Sequence, residues 1–259
     1  MRNVRVKIQD WDTMRHFAFQ LTKGSPREII GGREAKPHSR PYMAYLKYSN
    51  KNGKSGICGG FLVQKKFLLT AAHCWGSSIS VLLGAHNIKK PEKTQQQIPV
   101  LRAIRHKEYN NKNFNNDIML LQLKKMARLN QDVGLLALPQ KAVKVKPNQT
   151  CIVAGWGCTL KRLFSDTLQE VKLKVRRDYE CKEKYRNHYN HSTQMCVGDP
   201  NVQKASFQGD SGGPLVCDGI AQGIVSYGFQ NGSSPRVFTR ISSFLPWIKR
   251  TMKTLEDKR

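Results

Sequence analysis

The sequence predicts an all-β protein with one helix at its C-terminal end. Three observations carry that expectation. From Ile29 onward, apolar runs of four to eight residues are broken at short intervals by Gly, Pro, Asn and Ser, the pattern of many short strands. The stretch "EVKLKV" at 170–175 alternates strictly, with Val171, Leu173 and Val175 to one side and Lys172 and Lys174 to the other, as a half-buried strand requires. A three- and four-residue apolar period occurs only in the last segment, 242–255.

In the first half, "MAYLKY" (43–48), "GGFLVQ" (59–64), "FLLTAA" (67–72), "SVLLGA" (80–85) and "IMLLQL" (118–123) read as buried or half-buried strands, each a short apolar run between turn residues. In the second, "TCIVAGWG" (150–157), "EVKLKV", "PLVC" (214–217), "AQGIVSYG" (221–228) and "RVFTRI" (236–241) read likewise. Lys172, Lys174 and Arg176 form one wall of a basic surface. In "SSFLPWIKRTMKTL", Phe244, Leu245, Ile248, Met252 and Leu255 share a helix face. Ser243 is the expected cap and Pro246 fits the first turn, while Lys249, Arg250 and Lys253 favour the negative end of the dipole. The domain is expected over 29–259, in halves of about 29–135 and 136–259 divided near "LPQKAVKVKP".

Composition narrows the class. The 259 residues include 44 Lys+Arg against 18 Asp+Glu, a formal net charge of +26. Such a surface attracts polyanions: nucleic acid, sulfated glycans or anionic membrane. The excess is spread over "IKKPEK", "LKKMAR", "KAVKVK", "VKLKVRR" and "CKEKYR". No nucleic-acid motif accompanies it, which disfavours sequence-specific DNA or RNA binding. The seven cysteines form no CxxC pair, which excludes zinc ribbons and thioredoxin-like chemistry and suits long-range disulfides in an oxidising compartment. The odd count leaves one over. Residues 1–28 offer only "FAFQL", Phe17 to Leu21, as an apolar stretch, short of a secretory signal. They are expected to be an atypical, disordered leader or pro segment outside the fold.

Three segments carry the residue types of acyl-transfer chemistry. "LLTAAHC" brings His73, "NNDIMLLQL" brings Asp117 and "GDSGGP" brings Ser211. A hydroxyl nucleophile needs an imidazole to take its proton and a carboxylate to orient that imidazole and stabilise its cation. Each piece alone has a plain reading as a structural histidine or a turn. Together, in separate motifs, they point to one site that two halves of the chain must assemble. Gly209 and Ser211 can aim backbone N–H groups at a developing oxyanion, and a side chain at 209 would crowd that hole. No metal-ligand spacing appears, and this mechanism needs neither metal nor cofactor.

The chain from Ile29 to about Leu255 resembles the trypsin/chymotrypsin-like serine proteases. The resemblance rests on "IIGG" at 29–32, "CGGFLV" at 58–63, "LTAAHC" at 69–74, "NDIMLLQL" at 116–123, "AGWG" at 154–157, "GDSGGPLVC" at 209–217 and "IVSYG" at 224–228. "EAKPHSRPYMAYL" at 34–46 and "LGAHNIK" at 83–89 are similar to the granule proteases of lymphocytes and mast cells, granzymes above all. The resemblance implies two six-stranded antiparallel β-barrels, with the active site between them, and a monomer is expected. It implies disulfides Cys58–Cys74, Cys151–Cys217 and Cys181–Cys196. Cys158 has no family partner and is expected as a free thiol in an exposed loop, with an intermolecular link as the alternative. Phe207 stands where the bridge behind the specificity pocket would begin.

The resemblance also implies activation and specificity. Removal of a dipeptide ending in Glu, here Arg27–Glu28, by a dipeptidyl peptidase would free the amine of Ile29 to pair with Asp210. The uncut chain would be inactive. Ala205, six residues before Ser211, would floor the pocket where trypsin-like members carry an aspartate, so tryptic specificity is not expected. Ser226 and Gly228 would leave the pocket mouth open. Arg236 would stand on the pocket wall as a fixed cation, selecting Asp before the cleaved bond. The expected function is a granzyme-type serine endopeptidase of cytotoxic granules, cutting proteins after Asp to promote target-cell death. Its partners would be protein substrates, a serglycin-like sulfated proteoglycan and perforin-type delivery, and its location granules and the secreted pool. The alternatives are a chymase- or cathepsin-G-like protease of hydrophobic or mixed specificity, and an inactive heparin-binding or antimicrobial homologue. Asn148, Asn190 and Asn231 are glycosylation candidates.

Overall fold

A computed structural model describes residues 29–140, 145–158 and 164–257. The expected leader, with Arg27 and Glu28, lies outside the described residues, as does part of the expected division between halves.

The first half closes into a barrel. Its strands are β2 (Met43–Ser49), β3 (Ser55–Gln64), β4 (Phe67–Thr70), β5 (Ser78–Leu83), β6 (Gln96–Arg105) and β7 (Met119–Leu123), antiparallel in the order β2-β3-β4-β7-β6-β5, with β5 returning to β2. Alternation explains much of it: Ile79, Val81 and Leu83 of β5 point inward. All five residues of β7 are buried. A helix covers its outer face, and Gln122 Nε2 donates to the Leu255 carbonyl at 3.3 Å. The sequence reading missed the short strand Gln194–Val197 of the second half, and β6. Only Ile98 of its ten residues is buried and the strand bulges between Val100 and Arg102, so no clean period marks it.

The second half is a rolled sheet ordered β1-β9-β8-β11-β12-β13-β10. Six strands match the expected second barrel: β8 (Thr150–Gly155), β9 (Gln169–Lys174), β10 (Gln194–Val197), β11 (Pro214–Cys217), β12 (Ile220–Tyr227) and β13 (Arg236–Arg240). The short β1 (Arg33–Glu34) adds a seventh by pairing with β9. Closure between β9 and β10 is minimal, a single Val175–Val197 bridge. Arg176 N–H donates to Cys196 O at 2.8 Å and Gly198 N–H to Lys174 O at 2.9 Å beside it. Lys172 and Lys174 are exposed as expected. Arg176 leaves the basic wall: its guanidinium pairs with Glu180 at 2.9 Å and Asp199 at 3.4 Å.

The C-terminal helix α2 runs Leu245–Asp257 after a 3-10 turn at Ile241–Phe244. Its five expected apolar contacts are all buried. Ser243 does not cap it. The serine lies inside the 3-10 turn, and its hydroxyl donates to Ser192 O at 2.7 Å. A second helix, α1 (Asp178–Tyr185), was not expected. Its sequence "DYECKEKY" buries only Cys181 and Tyr185, too narrow a stripe to read as an amphipathic face.

The three disulfides are Cys58–Cys74, Cys151–Cys217 and Cys181–Cys196, as the resemblance implies. Cys158 corrects an expectation. It lies outside the three bridges, 2% exposed, packed with Ile30, Ala205 and Phe207. Its N–H donates to Gln208 O at 2.6 Å and it bridges Phe164. Those bonds pull the segment inward, so the sulfur is neither in an exposed loop nor presented to another chain.

Candidate active site

His73 sits in a 3-10 turn, Ala72–Cys74, directly after β4, and Asp117 two residues before β7. Because β4 and β7 pair, the two residues meet across 44 positions of sequence. His73 Nδ1 stands 2.7 Å from Asp117 Oδ2, and the His73 N–H donates to Oδ1 at 3.0 Å. The Asp117 carboxylate is wholly buried. It tolerates burial because donors surround it, the Ser226 hydroxyl reaching Oδ2 at 2.6 Å. Thr239 holds the Asp117 carbonyl at 2.8 Å. A ring held through Nδ1 leaves Nε2 to work as a base. Phe114 meets the His73 ring edge-on at 5.7 Å.

Ser211 follows β10 on the loop that leads into β11, and it lines one cavity with His73. The first barrel grips this loop: Gly59 N–H donates to Ser211 O at 2.8 Å. Two glycines let the loop pack this closely on both halves. Gly212 has φ +82, and a Cβ there would lie 2.1 Å from Thr70 Oγ1. Gly209 has φ +93, and a Cβ would lie 2.9 Å from Gly157 Cα. Between them Asp210 is fully buried. Its carboxylate accepts the N–H of Gly157 at 2.9 Å and of Phe207 at 2.8 Å. Burial pushes its pKa up to about 7, against the lowering pull of those two N–H groups and of the Arg236 charge. Ile29, also fully buried, packs in the core of the second half.

The cavity continues from His73 and Ser211 past Phe114, Phe207 and Tyr227 to Arg236. Arg236 opens β13 and is 8% exposed. One terminal nitrogen donates to Phe229 O at 3.0 Å. Its Nε has no partner among the described residues. The guanidinium lies 5.8 Å from the Phe207 ring centre. Desolvation lowers its pKa, opposed by the nearby Tyr185 and Asp210. Gly228 leaves room for it, because a Cβ there would stand 2.5 Å from Arg236 Cζ and displace the guanidinium.

Ala205 is fully buried, bridged to Ile30 and packed on Phe207 and Cys158. Ser226 does line the cavity but is more than an open wall, since its hydroxyl is committed to Asp117. Sequence reasoning also missed the support behind Arg236. Tyr185 Oη donates to Pro235 O at 2.7 Å, and its ring stacks on Phe229 at 4.9 Å. Lys184 Nζ donates to Ser234 O at 2.5 Å. No local motif signals these contacts. Phe114, a lone aromatic in "NKNFNND" that the sequence reading passed over, also lines the cavity.

Cys58 and Cys74 sit beside His73 within 4.8 Å, but their sulfurs are joined to each other, so the group offers no thiolate to a metal. Among the glycosylation candidates, Asn148 and Asn231 are exposed and Asn190 is half-buried. Asn231 and Asn190 use their side-chain oxygens to accept the N–H of Ser233 and Ser192, at 3.1 and 3.0 Å.

Residues 29–248 match the family model described as Trypsin. Human granzyme B is 58% identical over 235 residues, covering 90% of this chain and 94% of that protein. Mouse cathepsin G is 58% identical over 238 residues, covering 92% of this chain and 90% of that protein. A solved structure of a protein described as GrC superposes with a TM-score of 0.84 at 54% identity, covering 87% of this chain and all of that one. An imidazole oriented by a buried carboxylate, sharing a cavity with a serine on a glycine-bound loop, agrees with this kinship: the chain belongs to the trypsin family of serine endopeptidases.

Proposed function

We propose that this chain cuts proteins after aspartate, by acyl transfer to Ser211. The carrying observation is Arg236, a buried guanidinium on the same cavity as His73 and Ser211 with one N–H donor unused. A substrate aspartate entering there meets a planar cation able to bind it through two parallel hydrogen bonds. A lysine or arginine meets repulsion. The aromatic and glycine packing around the guanidinium holds it still, so the site favours the shorter Asp over Glu.

In the reaction, the Ser211 hydroxyl attacks the carbonyl carbon while His73 Nε2 takes its proton. Asp117, held by Ser226 and the His73 N–H, keeps the imidazole in the productive tautomer and stabilises its cation. The N–H groups of Gly209 and Ser211 receive the oxyanion. His73 then gives its proton to the leaving amine as the C–N bond breaks. Water repeats the sequence to release the acid. Activation follows removal of Arg27–Glu28 by a dipeptidyl peptidase. The new Ile29 ammonium pairs with Asp210, whose buried carboxylate otherwise lacks a full counter-charge. Storage on sulfated proteoglycan in cytotoxic granules and perforin-type delivery complete the reading, supported by the net charge of +26.

The test is Arg236→Gly in protein beginning at Ile29. Removing one partner of a buried charge pair costs about 3–5 kcal/mol, so kcat/KM for Asp peptides falls by roughly 10²–10³-fold while aromatic peptides gain. Unchanged Asp preference refutes the reading. Aromatic preference in the parent protein would move it to the chymase- and cathepsin-G-like specificity.

A further inference from the structure

The proposed chemistry leaves one basic segment unexplained, "LKKMARL" at 123–129. It leaves β7 and runs across one end of the first barrel. Ala127 N–H donates to Lys65 O at 2.7 Å, binding the segment to the β3–β4 turn. Lys124 N–H donates to Pro99 O at 2.9 Å, and Arg128 and Gln96 exchange hydrogen bonds at 2.9 and 2.7 Å, binding it to β6. These bonds gather residues from three stretches onto one end of the barrel.

What gathers there combines two chemistries. Met126 is 52% exposed and Leu101, at the β6 bulge, is 50% exposed. They are the two most exposed aliphatic side chains among the described residues. Around them stand Lys65, Lys124, Lys125, Arg102 and Arg128, all exposed. Neither 95–107 nor 118–131 contains an acidic residue. Asp132 follows the segment but stands 3.8 Å from His38, and Glu256 and Asp257 end α2, whose Leu255 carbonyl touches Gln122.

A surface built only to hold a polyanion chain has no use for a projecting methionine and leucine. A lipid interface uses both kinds of group: cations meet anionic headgroups, and apolar tips enter the acyl boundary. We infer that this end of the first barrel docks on anionic lipid surfaces, with Leu101 and Met126 inserted and the surrounding lysines and arginines on the headgroups. The docked face is formed by β6 and the segment after β7, whereas the catalytic pair lies at the other ends of β4 and β7: His73 follows Thr70, paired with Met119, while Lys65 and Lys66 precede Phe67, paired with Gln122. The enzyme would therefore keep its cavity open while bound.

The experiment is co-sedimentation of the full chain with vesicles of phosphatidylcholine alone or mixed with phosphatidylserine, alongside elution from immobilised heparin. The pair Leu101→Ser and Met126→Ser retains every charge, and being exposed it leaves the fold intact by thermal melt. The parent chain should bind the phosphatidylserine vesicles and not the neutral ones. The double variant should lose vesicle partitioning by about tenfold or more and leave heparin at the same salt concentration as the parent. Lys124→Gln with Lys125→Gln and Arg128→Gln should weaken vesicle binding as well. Vesicle binding equal to the parent in the Ser variant, or in the Gln variant, overturns the inference. So does failure of the parent to bind phosphatidylserine vesicles, or a parallel loss of heparin affinity in the Ser variant, which would assign the face to sulfated glycan.

Discussion

Asp210→Asn should change how the uncut protein's stability depends on pH. In the folded chain burial lifts the Asp210 pKa from the ordinary 3.8 to about 7. Between those values the folded state keeps a proton that the unfolded state releases, so stability falls as pH rises. The stabilisation is complete below about 3.8 and gone above about 7. Its full size is about 4 kcal/mol, from roughly three pH units at about 1.4 kcal/mol each. Urea unfolding of both chains at pH 5, 6, 7 and 8 reads it out. From pH 5 to 7 the parent should lose about 2 kcal/mol relative to Asp210→Asn. His106, whose pKa burial lowers, gives a slope of the opposite sign, but the same in both chains, and cancels. Protein beginning at Ile29 should behave differently. With the freed ammonium paired to it, Asp210 stays ionised, and that stabilisation should grow as pH leaves the acid range and fade as the amine loses its proton at alkaline pH. A parent-minus-variant difference independent of pH in the uncut chain refutes the reasoning. Identical profiles before and after release of Ile29 refute its link to activation.

Other outcomes follow from single contacts. Ser226→Ala removes a hydrogen bond to the Asp117 carboxylate, and such bonds are worth about 1.5–3 kcal/mol. Its kcat should fall by roughly tenfold or more with KM little changed, and undiminished kcat in a steady-state assay would remove Ser226 from the site. Ile248→Ala empties a fully buried position on the inner face of α2 and should cost about 2–5 kcal/mol in urea unfolding. Cys158, 2% exposed, should react with an aromatic disulfide reagent only as the protein unfolds, and rapid labelling of the native state would contradict its packing. Tyr185→Phe deletes the bond to Pro235 O while keeping the ring on Phe229. Its specificity constant for Asp peptides should fall by about fivefold with little change in thermal melt, and a constant ratio of Asp to aromatic cleavage would show that Arg236 needs no such support.

The pieces of chemistry that demand a local backbone were legible along the chain. "GDSGGP" must carry glycine where φ is positive and neighbours crowd in, Gly157 against Gly209 and Thr70 against Gly212, so these two announce the loop of Ser211. The strands with even burial, and the five apolar residues of the last helix, announced themselves by period. The strand β6 and the helix α1 did not, because a bulge and an almost wholly charged surface leave no period to detect. Contacts that join distant positions were decided by the tertiary structure alone. Ser226 reaches Asp117 across 109 residues, and Tyr185 reaches Pro235 across 50. Cys158 lost its expected exposed loop because Ile30, Ala205 and Phe207 enclose it. A side chain's identity is written in the sequence; which neighbours desolvate it, and which donors offset that burial, depends on surfaces brought together only when both halves have folded.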